Sequence, residues 1–400
     1  MKMIHKSYKF RIFPSKKQEE LLSKHFGHCR FVFNRFLHER KEAYEADKTS
    51  LNYYANAKSL TGLKKETEFS WLKEVNSQSL QASLKHLDTA YKNFFKQQNR
   101  FPRFKSKHER QSFKVPQNVF VVDEKLIIPK FSEGIQLKQH RPLEGKILFA
   151  TVSKTTTDKY YVSITCEQAY IPYPKTGKAV GIDTGIKELV ILSDGSRHEN
   201  IKSLKTSLKK LKYEQRQLSK KQKGSHSRLQ QKRKLVSVHE KITHIRKDYL
   251  HKVSTEIIKN HDILVVEDLA VKNMLKNHRL AQAMSDVSLG TFYTMLEYKA
   301  KWNEKDYVKI DRFFPSSKTC SNCGWINQEL KLSDRKWMCS DCGEIHDRDL
   351  NASKNILNQG LKILSGYGTQ SDIKQKREEA LSLDKSANPE ALPISFAVGG

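Results

Sequence analysis

Four cysteines constrain this chain more than any other feature. Two residues separate Cys320 from Cys323, two separate Cys339 from Cys342, and 15 lie between the pairs. Each CxxC pair makes a tight turn, and two such turns facing each other form a tetrahedral thiolate cage suited to zinc. Gly324 and Gly343 each follow the second cysteine of a pair. A positive φ there lets backbone N–H groups approach the sulfurs. Protein fills all four positions, so the zinc is structural and leaves no open position for chemistry. It would supply folding energy that about 25 residues cannot draw from a core of their own. Trp325 and Trp337 are expected to pack on this ribbon, whereas Cys29 and Cys166 lie far from any partner motif and read as core.

Charge narrows the partners. The 400 residues carry 73 Lys/Arg and 44 Asp/Glu, a net +29. Self-repulsion of that size destabilises a compact chain unless a polyanion neutralises it. A nucleic acid is therefore the leading partner, and a membrane surface the second. No run of about 18 apolar residues exists to cross a bilayer. Met1–Phe10 alternates basic and apolar residues and lacks the apolar stretch of a signal peptide. A reducing cytoplasm follows, where cysteines serve as thiols or metal ligands. The membrane reading finds no amphipathic terminal helix or anchor to support it.

Periodicity divides the chain. Residues 4–13 read as a strand ending at Pro14-Ser15, and residues 15 to about 100 read as helices, one of them starting near Ser77. From about Ser112 to Glu167 the period falls towards two, with strands at 120–122, 126–128, 147–152 and 160–165. Strands thus bracket helices, as in a barrel with a helical insertion. Residues 172–177 read as a linker. Beyond it, 179–183, 188–192, 263–266 and 307–311 are strands, and 287–303 and the segment from about Leu350 are helices. Residues 202–252 hold 17 Lys/Arg against 3 Asp/Glu. Their apolar stripes, broken at Gly224-Ser225, predict a basic antiparallel helical hairpin. Its bland reading is a solvated helix face. The chain from about 366 to 400 loses periodicity and reads as a poorly ordered tail.

Three acids stand at element ends. Asp183 ends one apolar strand, Glu267 ends another, and Asp349 lies in His346-Asp347-Arg348-Asp349 at the start of the last helix. Taken singly they could be a turn residue, a surface acid and a helix N-cap. Taken together, acids at two central strand ends and one helix terminus can converge. Three carboxylates in a basic protein can hold two Mg²⁺ about 4 Å apart, the arrangement that hydrolyses phosphodiesters.

These residues resemble a known family. Gly181-Ile182-Asp183-Thr184-Gly185, Val265-Val266-Glu267-Asp268-Leu269 and Asp347-Arg348-Asp349-Leu350-Asn351-Ala352 look like the three split motifs of a RuvC nuclease domain. Arg312-Phe313-Phe314-Pro315-Ser316-Ser317-Lys318-Thr319-Cys320 looks like TnpB (OrfB), the transposon-encoded RNA-guided DNA nucleases related to type V CRISPR effectors. Arg30-Phe31-Val32-Phe33-Asn34, Trp71–Val75, Phe101–Lys107 and Asp248–Lys252 extend the resemblance over about residues 1 to 360. Ser353 and Leu289 depart from the family pattern without touching the acids.

The resemblance implies an α/β multidomain protein. An RNase H-like (RuvC) nuclease core would span 178–316 and 346–362, with the zinc ribbon inserted at 317–345. An oligonucleotide-binding-like wedge β-barrel would form from 1–14 and 110–172, around a helical recognition lobe at 15–109. It implies Mg²⁺-dependent cleavage of double-stranded DNA next to a short target-adjacent motif, directed by a guide RNA from the transposon end. Asp183, Glu267 and Asp349 carry over as the catalytic trio, with Asp347 the competitor for the third place. Base pairing would choose the sequence, leaving the protein mostly backbone contacts. Tyr53, Ser77, Gln78 and Gln81 are candidates for reading the adjacent motif. Arg103, Lys105, Lys107 and the hairpin lysines Lys209, Lys210, Lys221 and Lys223 are candidates for phosphates. The expected particle is one chain with one RNA in a prokaryotic cytoplasm, at the nucleoid. The alternative is a cleavage-inactive RNA-guided regulator. A strand-joining transposase finds no tyrosine or serine recombinase motif.

Overall fold

The computed structural model describes residues 2–108, 110–270, 274, 276, 281–331 and 333–366. The expected tail at 366–400 lies outside these except for Gly366. The chain divides into two compact units. Met1–Ile171 with Lys212–His239 forms the first, and Pro172–Leu211 with the described residues from Glu240 onward forms the second.

In the first unit, strand β1 (Lys2–Phe13) buries Ile4, Tyr8, Phe10 and Ile12 on alternate positions. It pairs antiparallel with β7 (Tyr160–Tyr170) on one side and β5 (Phe131–Lys138) on the other. With β2 (Gln111–Val115), β3 (Phe120–Val122), β4 (Lys125–Ile128) and β6 (Lys146–Lys154) the order is β2-β6-β7-β1-β5-β4-β3. Among the described residues this order has two ends, β2 and β3, rather than a hydrogen-bonded closure into the expected barrel. Ser15 stops the strand and starts a helix. Its hydroxyl accepts from the Gln18 N–H while the Gln18 side chain accepts from the Ser15 N–H, a reciprocal capping box. Helix α1 (Lys16–Asp47), α2 (Tyr53–Leu63), a 3-10 turn (Thr67–Glu74) and α3 (Ser77–Phe95) follow. Their apolar faces and the strands share one hydrophobic cluster, which includes Phe10, Phe36, Leu84, Leu126 and Val162, and also Cys29 and Cys166.

The second unit is built on a five-stranded sheet, ordered β10-β9-β8-β11-β12. Its strands are β8 (Ala179–Thr184), β9 (Glu188–Leu192), β10 (Arg197–Glu199), β11 (Ile263–Glu267) and β12 (Asp306–Ile310). Strands β8, β11 and β12 are parallel, while β9 and β10 run antiparallel to their neighbours. The central strand β11 is apolar from Ile263 to Val266, with Leu264, Val265 and Val266 buried on both faces, whereas β12 exposes Asp306 and Lys309. Helices α4 (Ser203–Ser219) and α5 (His226–Asn260) make the basic hairpin, of which only the parts up to Leu211 and from Glu240 onward belong to this unit. Then come α6 (Ala281–Val287), α7 (Leu289–Trp302) and, after the cysteine ribbon, α8 (Arg348–Leu364).

Two glycines let α8 lie directly on the sheet. A Cβ on Gly181 would sit 2.0 Å from the Ser353 carbonyl oxygen and 2.6 Å from the Leu357 nitrogen. A Cβ on Gly360 would sit 2.3 Å from a methyl of Val265, a β-branched side chain with little rotamer freedom. Overpacking costs about 1–3 kcal/mol where side chains can yield, and more where backbone blocks the way. Gly181→Ala is therefore expected to lower the melting temperature of this unit by more than about 5 °C, at about 2–4 °C per kcal/mol. Gly290→Ala, where a Cβ meets nothing within 4 Å, should not lower it. Thermal unfolding of the two variants side by side checks both expectations.

Candidate functional site

Sheet register places two of the three acids. In the β8–β11 ladder Val265 pairs with Gly181 and Val266 with Ile182, so Glu267 and Asp183 come next at the carboxyl ends of adjacent parallel strands. Side chains alternate along a strand. Asp183 therefore shares the face of Gly181, the face on which α8 lies. Open α/β sheets bind ligands at this end of the strands.

The last helix supplies the third acid. Asp347 is its N-cap: the carboxylate accepts from the Leu350 N–H at 3.0 Å and pairs with Arg197 at 3.2 Å. Partial burial would raise Asp347, but these donors outweigh it and hold the carboxyl below its usual range. Asp349 lies in the first turn beyond, with Arg335 at 3.4 Å. Of the two competitors, Asp349 is the one whose charge reaches Asp183. Burial pushes the Asp183 carboxyl well above the carboxylate range, and the charges of Glu267 and Asp349 push it further. Burial also raises Glu267, against a hydrogen bond of 2.5 Å from the Ser316 hydroxyl. Next to Asp183, the Thr184 hydroxyl meets the Tyr293 hydroxyl at 2.7 Å. Like charges gathered in a partly buried site are unfavourable unless protonated or met by a cation. An all-oxygen donor set suits a hard divalent ion such as Mg²⁺.

The cysteine ribbon is compact. The four Sγ atoms lie within 4.8 Å of one another, with Cys320–Cys342 at 3.7 Å and Cys323–Cys339 at 3.5 Å. Tetrahedral bonds of about 2.3 Å put sulfurs about 3.8 Å apart, so this cluster could bind zinc. Among the described residues no other set of three or more Cys, His, Asp or Glu gathers its ligand atoms so closely. The carboxylate trio is thus more widely spaced. Gly324 and Gly343 have φ of +84° and +76°, and their N–H groups return to the Cys320 and Cys339 carbonyls at 2.9 Å. The Glu344 N–H, then the Asn322 side chain, lower the Cys342 thiol, while at Cys323 the Trp325 N–H is outweighed by burial and the other three sulfurs, which raise the thiol; a bound cation would favour the thiolate at all four. Trp337 packs with Cys320, Cys339 and Leu330. Trp325 is 36% exposed, so the expected packing of both tryptophans holds for Trp337 alone.

The candidate nucleic-acid contacts lie on helices, on the turn between α4 and α5 (Lys221 and Lys223) and on the strand-free stretch 101–107. Ser77, Gln81, Arg103, Lys107, Lys209, Lys210, Lys221 and Lys223 are exposed, while Tyr53 and Gln78 are half-buried. The Lys105 ammonium stacks 3.9 Å over the Phe33 ring. Its peptide is clasped by Asn34, whose side chain bonds both the Lys105 N–H and carbonyl. Sequence reasoning missed the exposed rings of Tyr54, Phe95, Phe104 and Phe313, the last 85% exposed. Such rings beside basic residues can stack bases. It also missed Asp286, which caps α4 from outside. Asp286 accepts from the Leu204 N–H at 2.9 Å, the Ser203 hydroxyl at 3.1 Å and Arg246 at 3.0 Å, fixing the base of the hairpin.

Comparison with known proteins adds family relationships. A family described as "Probable transposase" matches residues 151–278, one described as "Cas12f1-like, TNB domain" matches 290–356, and a "Helix-turn-helix domain" matches 1–49. Over the last stretch the described residues form strand β1 and the single helix α1, not two helices about a turn. A Streptomyces pristinaespiralis protein named "Putative RNA-guided DNA endonuclease" is 40% identical over 365 residues, 90% of each chain. InsQ of Escherichia coli (strain K12), named likewise, is 36% identical over 400 residues, 95% of this chain and 99% of the relative. A cryo-EM structure titled as a Cas12f1-sgRNA-target DNA complex covers 89% of this chain and 99% of that one. Its 19% identity and TM-score of 0.35 are too low to carry an argument.

Proposed function

Because this chain belongs to the TnpB (OrfB) family of transposon-encoded proteins, we propose that it is an RNA-guided DNA endonuclease that hydrolyses phosphodiesters at the Asp183, Glu267 and Asp349 carboxylates. The observation that carries this reading is the placement of Asp183 and Glu267 at the carboxyl ends of adjacent parallel strands, with the charges of Glu267 and Asp349 both acting on the buried Asp183. The sheet order β10-β9-β8-β11-β12 supports an RNase H-like core of the RuvC kind. The seven-stranded sheet with its helical insertion supports the wedge and recognition roles.

Asp183, Glu267 and Asp349 would hold Mg²⁺. When bound there, two ions supply an activated water and stabilisation of the leaving 3′-oxygen. The chain's own residues do the rest. Ser316 fixes one oxygen of Glu267 and leaves the other free. The Thr184–Tyr293 contact braces the strand end that carries Asp183. The basic hairpin and the 101–107 stretch hold nucleic-acid backbone, a contact that weakens steeply with salt. The cysteine ribbon would hold zinc. The expected complex is one chain, one guide RNA from the transposon end and a double-stranded DNA target bearing a short adjacent motif.

The test is direct. The chain is expressed with its transposon-end RNA, the RNA that co-purifies is sequenced, and matched DNA flanked by a randomised motif is offered with Mg²⁺. A defined end-derived RNA and cut DNA are expected. Tight occupancy of uncut DNA at every Mg²⁺ concentration would replace this reading with that of a guided regulator.

A further inference from the structure

We propose that Ser316 is a positioning residue that ties the order of the cysteine ribbon to the Glu267 carboxylate, so that the ribbon metal sets how tightly the acid centre binds divalent cations. The proposal rests on the reading of the acids as a cation site.

Ser316 is 7% exposed, and its hydroxyl lies 2.5 Å from Glu267 Oε1. Among the described residues this is the one side-chain donor to that carboxylate. A neutral donor suits the place. A lysine or arginine would orient the carboxylate equally well but would compete with the cation for its charge. A hydroxyl fixes Oε1 and leaves the negative charge and Oε2 available.

The other side of Ser316 leads to the ribbon. From Pro315 to Cys320 the chain is held as one tight unit. The Lys318 and Thr319 N–H groups both donate to the Pro315 carbonyl at 3.0 Å, as does the Thr319 hydroxyl at 2.8 Å. The next residue, Cys320, is buried and donates its N–H to the Trp325 carbonyl at 2.7 Å. Two buried asparagines of α8 grip the same segment. Asn355 donates to the carbonyls of Ser316 and Thr319 at 2.8 and 2.5 Å. Asn351 donates to the Thr319 carbonyl at 2.7 Å and accepts from the Ser321 N–H at 2.9 Å. Residues 351 and 355 share a helix face, and Asn351 follows Asp349 by two. Segment 316–321 is therefore the common reference for Glu267, for the first turn of α8 and for one ribbon cysteine. If the ribbon loses its metal, Cys320 loses its anchor and the Ser316 hydroxyl its aim. Residues that orient metal ligands in this way are worth about 10–100-fold in affinity.

The experiment uses the full chain with its guide RNA and Mn²⁺ as the probe, comparing wild type, Ser316→Ala and Ser316→Thr. Calorimetry or the loss of the free Mn²⁺ resonance gives affinity without reference to cleavage. Ser316→Ala is expected to weaken Mn²⁺ binding about 10-fold or more with zinc content and RNA affinity unchanged, and Ser316→Thr to recover most of it. Coupling between sites is reciprocal. Saturating Mn²⁺ should therefore reduce the zinc released to a competing chelator at equilibrium in wild type and leave Ser316→Ala unaffected. Equal Mn²⁺ affinity in wild type and Ser316→Ala overturns the proposal while leaving the endonuclease reading intact, and so does zinc release in wild type that ignores Mn²⁺. A wild-type chain that binds no Mn²⁺ overturns both.

Discussion

Replacing Asp183 by asparagine is expected to abolish DNA cleavage and, in the same protein, to make the metal-free chain harder to unfold. The two effects share a cause. Asp183 is held well above the carboxylate range by burial and by its two acidic neighbours. The folded chain thus keeps that proton to a higher pH than the unfolded chain does. Stability falls with pH wherever the folded state binds more protons. Wild type should therefore lose stability as pH rises from the ordinary carboxylate range through the raised value, and asparagine removes that loss. The gap between variant and wild type should widen as pH rises above the ordinary carboxylate range. Adding Mg²⁺ should close it from the wild-type side, since cations meet the same repulsion. Catalysis moves the other way. Metal-borne stabilisation of a transition state is worth several kcal/mol, and each 1.36 kcal/mol is tenfold in rate, so the rate should fall by about 10³-fold or more. RNA and DNA occupancy should persist. Thermal unfolding across pH, with and without Mg²⁺, and single-turnover cleavage measure the two arms. A variant less stable than wild type at neutral pH would show that Asp183 is a structural carboxylate.

The second large effect concerns the ribbon. Its own hydrophobic cluster consists of Cys320, Trp337 and Cys339, with Leu330 against it. That is too little to order the segment unaided, and structural zinc sites contribute about 10–16 kcal/mol of binding free energy that is also folding free energy. Stripping one zinc per chain, or replacing Cys339 by serine, should unfold residues 317–345 and open them to proteolysis and hydrogen exchange. Cleavage should drop by about 100-fold, the upper range for lost ligand positioning. The core built on Phe10, Phe36 and Leu84 draws nothing from the ribbon, so the unfolding transition of its unit should hardly move. A metal-stripped chain with unchanged protection at 317–345 would refute the structural role.

Much of the second unit is legible in the sequence because its physics is local. Unbroken apolar runs such as Ile263–Val266 mark covered strands, and an acid directly after one marks the strand end. Asp349 could be separated from Asp347 only by family pattern. The structure gives the physical reason: Asp347 is spent on the helix N-terminus. Strand β5 escapes sequence reading because Gly134 and the polar residues around it blur the alternation. Ser316, Asn351 and Asn355 escape because a small polar residue declares nothing until its partners, 30 to 50 positions away in the chain, are known. The same holds for Gly181 and Gly360, whose meaning is the backbone or branched side chain they face. The apolar stripe on α5 says that something covers it, but not what. Hence the placement of Lys212–His239 with the first unit is invisible to periodicity.

That placement bears on synthesis. The first unit is not contiguous: residues 172–211 must leave the ribosome before Lys212–His239 can complete it. At about 5–20 residues per second, the sheet and helices of residues 2–171 wait roughly 3–14 s for their last piece. During that interval the nascent chain leaves open the surface that Lys212–His239 later covers, including Asp158, the ion-pair partner of Arg233.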